Sequence, residues 1–194
     1  FAVPFLKKLK DLSDEVCPAV RDRRTGAEYP VLAALVDHKL KELDYKLAVS
    51  HEVEFIGYNH PDGKRTYLRS LCFVLQNAVR RIYPDKVLII NHSLPSGLYC
   101  TICEKEPLED GRRAVHELDD KALAELKGEM RSIVSADLPF TKVKMEAAAA
   151  EELFLANGQP DKAALLKSLG VLICSVYYLD GQADTFHGPL LPST

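Results

Sequence analysis

The sequence predicts an α+β fold. Amphipathic helical stretches and short β-branched runs follow one another irregularly, without the strict alternation of a doubly wound parallel sheet. Tight-turn signals at Asp37-His38-Lys39 and Asp180-Gly181 join short strands directly, as in antiparallel hairpins. The chain has 194 residues, 47% hydrophobic and 27% charged, enough for one or two ordinary cores without metal or disulfide staples.

The elements follow from pattern. Apolar positions at Phe5, Leu6, Leu9 and Leu12 predict a helix over 1–14. Residues 18–30, rich in Pro, Arg and Gly, read as a loop. Strands are expected at 31–36, 40–43 and 53–56. From Thr66 the pattern changes: Leu68, Leu71, Cys72, Leu75, Val79 and Ile82 mark the buried stripe of a long helix, closed by Tyr83-Pro84. Strands at 87–90 and 98–102 flank a turn at Pro95-Ser96-Gly97. Helices are expected at 118–134 and 146–155, the latter stopped by Gly158. A short helix over 161–169, capped by Asp161, precedes strands at 171–179 and 183–186.

Composition excludes some classes. Net charge is −3 and pI about 6.1, unlike a dedicated nucleic-acid binder with its basic excess, although a local patch stays compatible. No apolar run approaches the ~20 residues of a membrane span, and the first residues lack a signal-peptide core. A cytoplasmic protein without membrane partners is expected. The five cysteines are odd in number and scattered, which fits reduced thiols. The chain starts without methionine and stops straight after a strand, so a fragment is expected at both ends.

Simple motifs yield little chemistry. Gly57-Tyr58-Asn59-His60-Pro61-Asp62-Gly63-Lys64-Arg65 has one residue too many between its glycines for a phosphate-binding loop. Arg65 stands where a magnesium-holding hydroxyl belongs, and Pro61-Asp62-Gly63 reads as a turn. Cys100 and Cys103 form a lone C-x-x-C; on a strand the two sulfurs point to opposite faces, and no second pair completes a zinc site. The doublets Arg80-Arg81 and Arg112-Arg113 read as solvated surface.

The terminal segment is more specific. Asp184-Thr185-Phe186-His187-Gly188-Pro189-Leu190-Leu191-Pro192-Ser193-Thr194 resembles the D-x-C-x-G-P-H-x-P-S-T motif of threonyl-tRNA synthetase, which closes that enzyme's editing domain. Arg69-Ser70-Leu71-Cys72-Phe73 is similar to that domain's H-S-x-x-H helix start, and Gly158 to Lys162 to its G-x-x-x-K step. Residues 31–40 resemble the end of the TGS domain that precedes it. The resemblance implies an incomplete TGS-like, β-grasp portion over 1–65. An editing-type α+β domain, like the second additional domain of the threonyl- and alanyl-tRNA synthetases, would follow over 66–194.

In the family, four side chains surround the scissile ester, two histidines on the helix and a cysteine and histidine in the last motif; alanyl-tRNA relatives hold zinc with them. Here these positions carry Arg69, Phe73, Phe186 and Leu190. None is a base or a metal ligand, so the family's hydrolysis lacks its groups. With Lys162 and Asp184, which match pocket positions, the six would line a cleft for an anionic or aromatic ligand, with no catalytic residue and no metal. The same substitutions also fit a pocket filled by its own phenylalanines.

The degenerate helix start and terminal Gly-Pro-Leu-Leu-Pro-Ser-Thr further resemble the front half of bacterial uridine kinase-like proteins. That resemblance implies a binding or regulatory module partnered by its own kinase domain after Thr194. ATP and Mg²⁺ would serve that domain and no cofactor this region; RNA or a nucleotide is the other expected partner. The alternative is a tRNA-binding or trans-editing domain that hydrolyses mischarged aminoacyl-tRNA.

Overall fold

A computed structural model describes residues 7–95 and 97–194. The fold is α+β, with five helices among small antiparallel sheets in the described residues. In chain order the elements are β1 (Lys7–Lys8), α1 (Leu9–Val16), β2 (Ala19–Arg21), β3 (Glu28–Pro30), β4 (Ala33–Val36), β5 (Lys39–Lys41), β6 (Lys46–Leu47) and β7 (Val53–Ile56). Then come α2 (Pro61–Ile82), β8 (Lys86–Leu94), β9 (Gly97–Pro107), β10 (Arg113–His116), α3 (Asp120–Ser135), β11 (Thr141–Glu146), α4 (Ala147–Ala156), α5 (Pro160–Leu169), β12 (Ile173–Leu179) and β13 (Gln182–Asp184).

The contacts group into two compact units. One runs through Leu71 and resumes over Pro139–Ser193; the other comprises Cys72–Leu138 with Thr194. The first unit holds two cores. In one, Leu9 of α1 packs with Ala34, Val36, Leu43 and Leu47. The sheet β5-β4-β7 forms because Asp37 and His38 both take positive φ, 47° and 63°, the two-residue turn that matches strand twist. In the other core, Phe154 of α4 is fully buried among Ala150, Ala163, Leu166, Val176 and Ala183. Asp180 and Gly181, again at positive φ, close the β12–β13 hairpin beside it. The second unit holds the sheet β10-β9-β8 and α3, whose first turn is capped by the Asp119 carboxylate accepting from the Ala122 amide at 2.7 Å.

Several expectations are corrected. The first helix begins at Leu9 rather than covering 1–14, because Lys7 and Lys8 pair with Leu47 and Lys46. Phe5, Leu6 and Ser96 lie outside the described residues. The stretch 18–30 contains the β2–β3 hairpin, not only loop. Asp161 sits inside the first turn of α5, with Pro160 at its start and Gln159 at the cap position making no side-chain cap. The largest change is at α2. Pro61-Asp62-Gly63 is the first turn of the helix, because proline's fixed φ and missing amide suit that position.

The buried face of α2 also differs from the predicted stripe. Thr66, Ser70, Phe73, Val74, Asn77, Ala78 and Val79 are buried, while Leu68, Leu71, Cys72, Leu75 and Ile82 are half-buried. Polar Thr66 and Ser70 tolerate burial because they are bonded. Ser70 Oγ donates to the Thr66 carbonyl at 3.1 Å and accepts from the Leu191 amide at 2.9 Å.

Among the described residues no helix is long and apolar enough to cross a membrane.

Candidate functional site

The terminal motif is threaded against the start of α2 and the segment after α3. In the first unit, Arg69 Nε donates to the Pro189 carbonyl at 3.0 Å and Nη2 to Thr66 Oγ1 at 3.0 Å. Gly188 has φ +123°, and a Cβ there would lie 2.9 Å from Arg69 Cζ. The glycine of the Gly-Pro pair therefore lets the guanidinium lie on the chain. The Pro192 carbonyl accepts from the Phe140 amide at 3.1 Å, and Ser193 bridges Pro139. In the second unit, Thr194 Oγ1 accepts from the Leu138 amide at 3.0 Å and donates to the Ile133 carbonyl at 2.9 Å.

The six predicted residues fall into distinct settings. Arg69 is half-buried; burial pushes its guanidinium down from its ordinary value, which leaves it charged. Phe73, in the second unit, is fully buried. Leu190 is 1% exposed. Phe186 is half-buried and meets Tyr177 edge-on, ring centroids 6.0 Å apart. Lys162 of α5 and Asp184 of β13 form an ion pair through Asp184 Oδ1. That oxygen also accepts from the Thr185 amide at 2.6 Å, and Asp184 Oδ2 is buried without a hydrogen-bond partner among the described residues. The structure thus joins Arg69 to the Pro189 end of the motif and Lys162 to Asp184, as two separate pairings.

Two residues that the sequence did not single out complete the surroundings. Tyr177 is buried on β12, its hydroxyl 3.1 Å from Glu42 Oε2 as donor and 3.4 Å from the Gly188 carbonyl. Burial, with the Glu42 carboxylate, pushes that phenol far above its ordinary range. Glu42 Oε1 accepts from Lys142 Nζ at 2.9 Å. The signal for Tyr177 was its place in the apolar run of β12; Glu42, in a charged loop, carried none.

A zinc ion does not fit the family's four positions here. Arginine, two phenylalanines and leucine offer no donor, and among the described residues no group of three or more His, Cys, Asp or Glu could hold a metal. In the second unit Cys72 is half-buried near Cys100, and burial pushes its thiol up to about 11. At pH 7.5 this thiol is almost wholly protonated and nucleophilically inert. Alkylation of Cys72 by iodoacetamide at that pH is expected to be far slower in the folded protein than in urea, as peptide mass spectrometry would show. Equal labelling of Cys72 in the two conditions would contradict the half-buried setting.

No family model matches the chain. The chain is similar to threonine–tRNA ligases. It is 28% identical over 170 residues to that of Desulforamulus reducens, covering 87% of this chain and 25% of the ligase. The ligase of Clostridium kluyveri is 26% identical over 164 residues, 84% of this chain and 24% of the ligase. That of Clostridioides difficile is 27% identical over 170 residues, 87% and 25%. The chain spans about a quarter of the length of these curated relatives. They support the synthetase-like part of the resemblance over most of the chain. The expected uridine kinase parent, with its ATP and transferase chemistry, draws no support from them.

Proposed function

We propose that this chain is a tRNA-related binding module on an editing-type scaffold whose hydrolytic site has been replaced. The observation that supports it is the setting of Arg69. In the resemblance it takes the place of a histidine facing the ester; here two of its donors are held by Pro189 and Thr66 and its face lies on Gly188. A guanidinium so held accepts no proton and activates no water. Phe73 and Leu190, at two of the other three positions, are buried apolar groups with no acid–base chemistry. Similarity to threonine–tRNA ligases supports the tRNA side of the reading.

The test uses a threonine-accepting tRNA, charged correctly or with a wrong amino acid. Binding of the uncharged tRNA by fluorescence anisotropy is expected, with deacylation of the mischarged form no faster than the spontaneous rate. Enzyme-dependent deacylation lost in Asp184→Asn would overturn the non-hydrolytic half of the reading; absence of tRNA binding at low salt would overturn the other half.

A further inference from the structure

The first unit contains a basic trough whose lining includes two of the four substituted positions, Leu190 and Phe186. A cavity of about 480 Å³ is walled by β1, β6, β11 and the terminal motif, with Lys8, Lys46, Lys142 and Lys144 on its rim. A second of about 300 Å³ shares Glu42, Lys142, Lys144 and Tyr177 with it and adds Lys41 and Phe186. The two cavities adjoin through these shared residues and are taken together as one trough. Its lining carries five lysines against two carboxylates, Glu42 and Asp44, in a chain of net charge −3. Composition alone gives no reason for such a reversal of sign in one concavity.

The internal pairing sharpens the point. Lys142 is held by Glu42 at 2.9 Å and Lys8 by Asp44 at 2.9 Å, so both carboxylates are engaged. Lys41 lies over the Tyr45 ring at 4.7 Å. Lys46 and Lys144 have no ion-pair partner among the described residues. Lys142 and Lys144 project from one face of β11, because alternate residues of a strand do. Lys46 and Lys144 are both exposed, so each ammonium is free to meet a ligand phosphate at the edge of the concavity. Half-buried Phe186 and Tyr45 add ring surface along the floor.

We propose that this trough binds the phosphodiester backbone of a single-stranded RNA segment, with Lys46 and Lys144 as its free phosphate donors. The proposal rests on the tRNA-related reading and names the surface that reading lacks. A single strand is chosen because its backbone can follow a lysine-lined concavity while its bases meet the ring surface of Tyr45 and Phe186.

The experiment measures anisotropy of a fluorescein-labelled single-stranded RNA 12-mer and of whole tRNA, across a salt series. The proteins are wild type, K46E/K144E, and K121E/K127E, which changes net charge equally on exposed positions of α3. The trough variant is expected to weaken both ligands at least tenfold and flatten the salt slope by about 1.4, two single-strand phosphate contacts at ~0.7 each. The α3 variant is expected to bind as wild type does. The milder K46Q/K144Q, checked by circular dichroism, is expected to show a smaller loss of the same kind, which excludes misfolding. RNA binding equal in wild type and both charge variants, or lost equally in the two, overturns the trough and leaves the tRNA reading standing. Wild type that binds neither RNA overturns that reading, and the trough with it.

Discussion

Gly63→Ala is expected to destabilise the protein by about 3 kcal/mol, at the upper end of what overpacking usually costs. A Cβ on Gly63 would overlap the Gly57 carbonyl oxygen and approach the Gly57 carbonyl carbon to 2.8 Å. The obstacle is backbone, which cannot rotate aside as a side chain can. The same oxygen accepts from the His60 amide at 3.1 Å, in the turn that leads β7 into α2. Moving it would disturb the entry of the helix that carries Arg69 and Ser70. Gly128→Ala is the internal control: it lies within α3, no atom stands within 4 Å of its added Cβ, and its φ is ordinary. There the gain in helix propensity predicts stabilisation of about 0.8 kcal/mol. Urea unfolding of the two variants should therefore give opposite signs. A neutral Gly63→Ala would mean that the loop and helix do not approach as described.

That contrast bears on what the sequence could reveal. The glycines of the 57–65 stretch looked like a phosphate loop with the wrong spacing, and their real reason is a close approach of two backbone segments. Only packing discloses such a reason, since the backbone of one glycine stands against the other. The onset of α2 was missed for a related cause: Pro-Asp-Gly serves a turn or a helix start equally well, and tertiary contacts choose. Strands bounded by β-branched residues, such as Val53–Ile56, were legible residue for residue even at a sheet edge. Strands β10 and β11 were not. Both are edge strands, and edges are naturally built with charge, here Arg113 and His116 in one and Lys142 and Lys144 in the other. A search for alternating apolar residues passes over them.

The candidate site divides in the same way. Arg69 and the Gly-Pro of the terminal motif could be paired from the resemblance, and the structure places Arg69 on Pro189 and Gly188. Thr66 and Ser70 could not be anticipated, because hydroxyls on a helical stripe normally signal solvent. They are buried here because Arg69 and the Leu191 amide satisfy them. The trough is illegible in the sequence for a third reason. Its lysines come from β1, β5, β6 and β11, each isolated in sequence, and only the fold gathers them.

Lys162→Met is expected to lower stability by about 3 kcal/mol, far more than Asp184→Asn at about 1 kcal/mol. The asymmetry follows from burial. The Asp184 side chain is 1% exposed and that of Lys162 is 28% exposed. Methionine keeps most of the lysine stem but leaves a buried carboxylate facing only the Thr185 amide, with Oδ2 already orphaned. An uncompensated buried charge is among the most destabilising defects known. Asparagine at 184 removes the charge, still accepts from that amide, and leaves an ammonium that can turn toward water. The double variant K162M/D184N should therefore be more stable than K162M alone, a coupling of opposite sign to additive damage. Equal losses in the two single variants would mark the pair as an exposed one, worth at most about 1 kcal/mol, and would remove the reason for a lysine at this step of α5. A large K162M loss rescued by D184N would instead explain why the pair persists beside four substituted positions: once the carboxylate is buried, the lysine is needed for folding whether or not any ester is cleaved there.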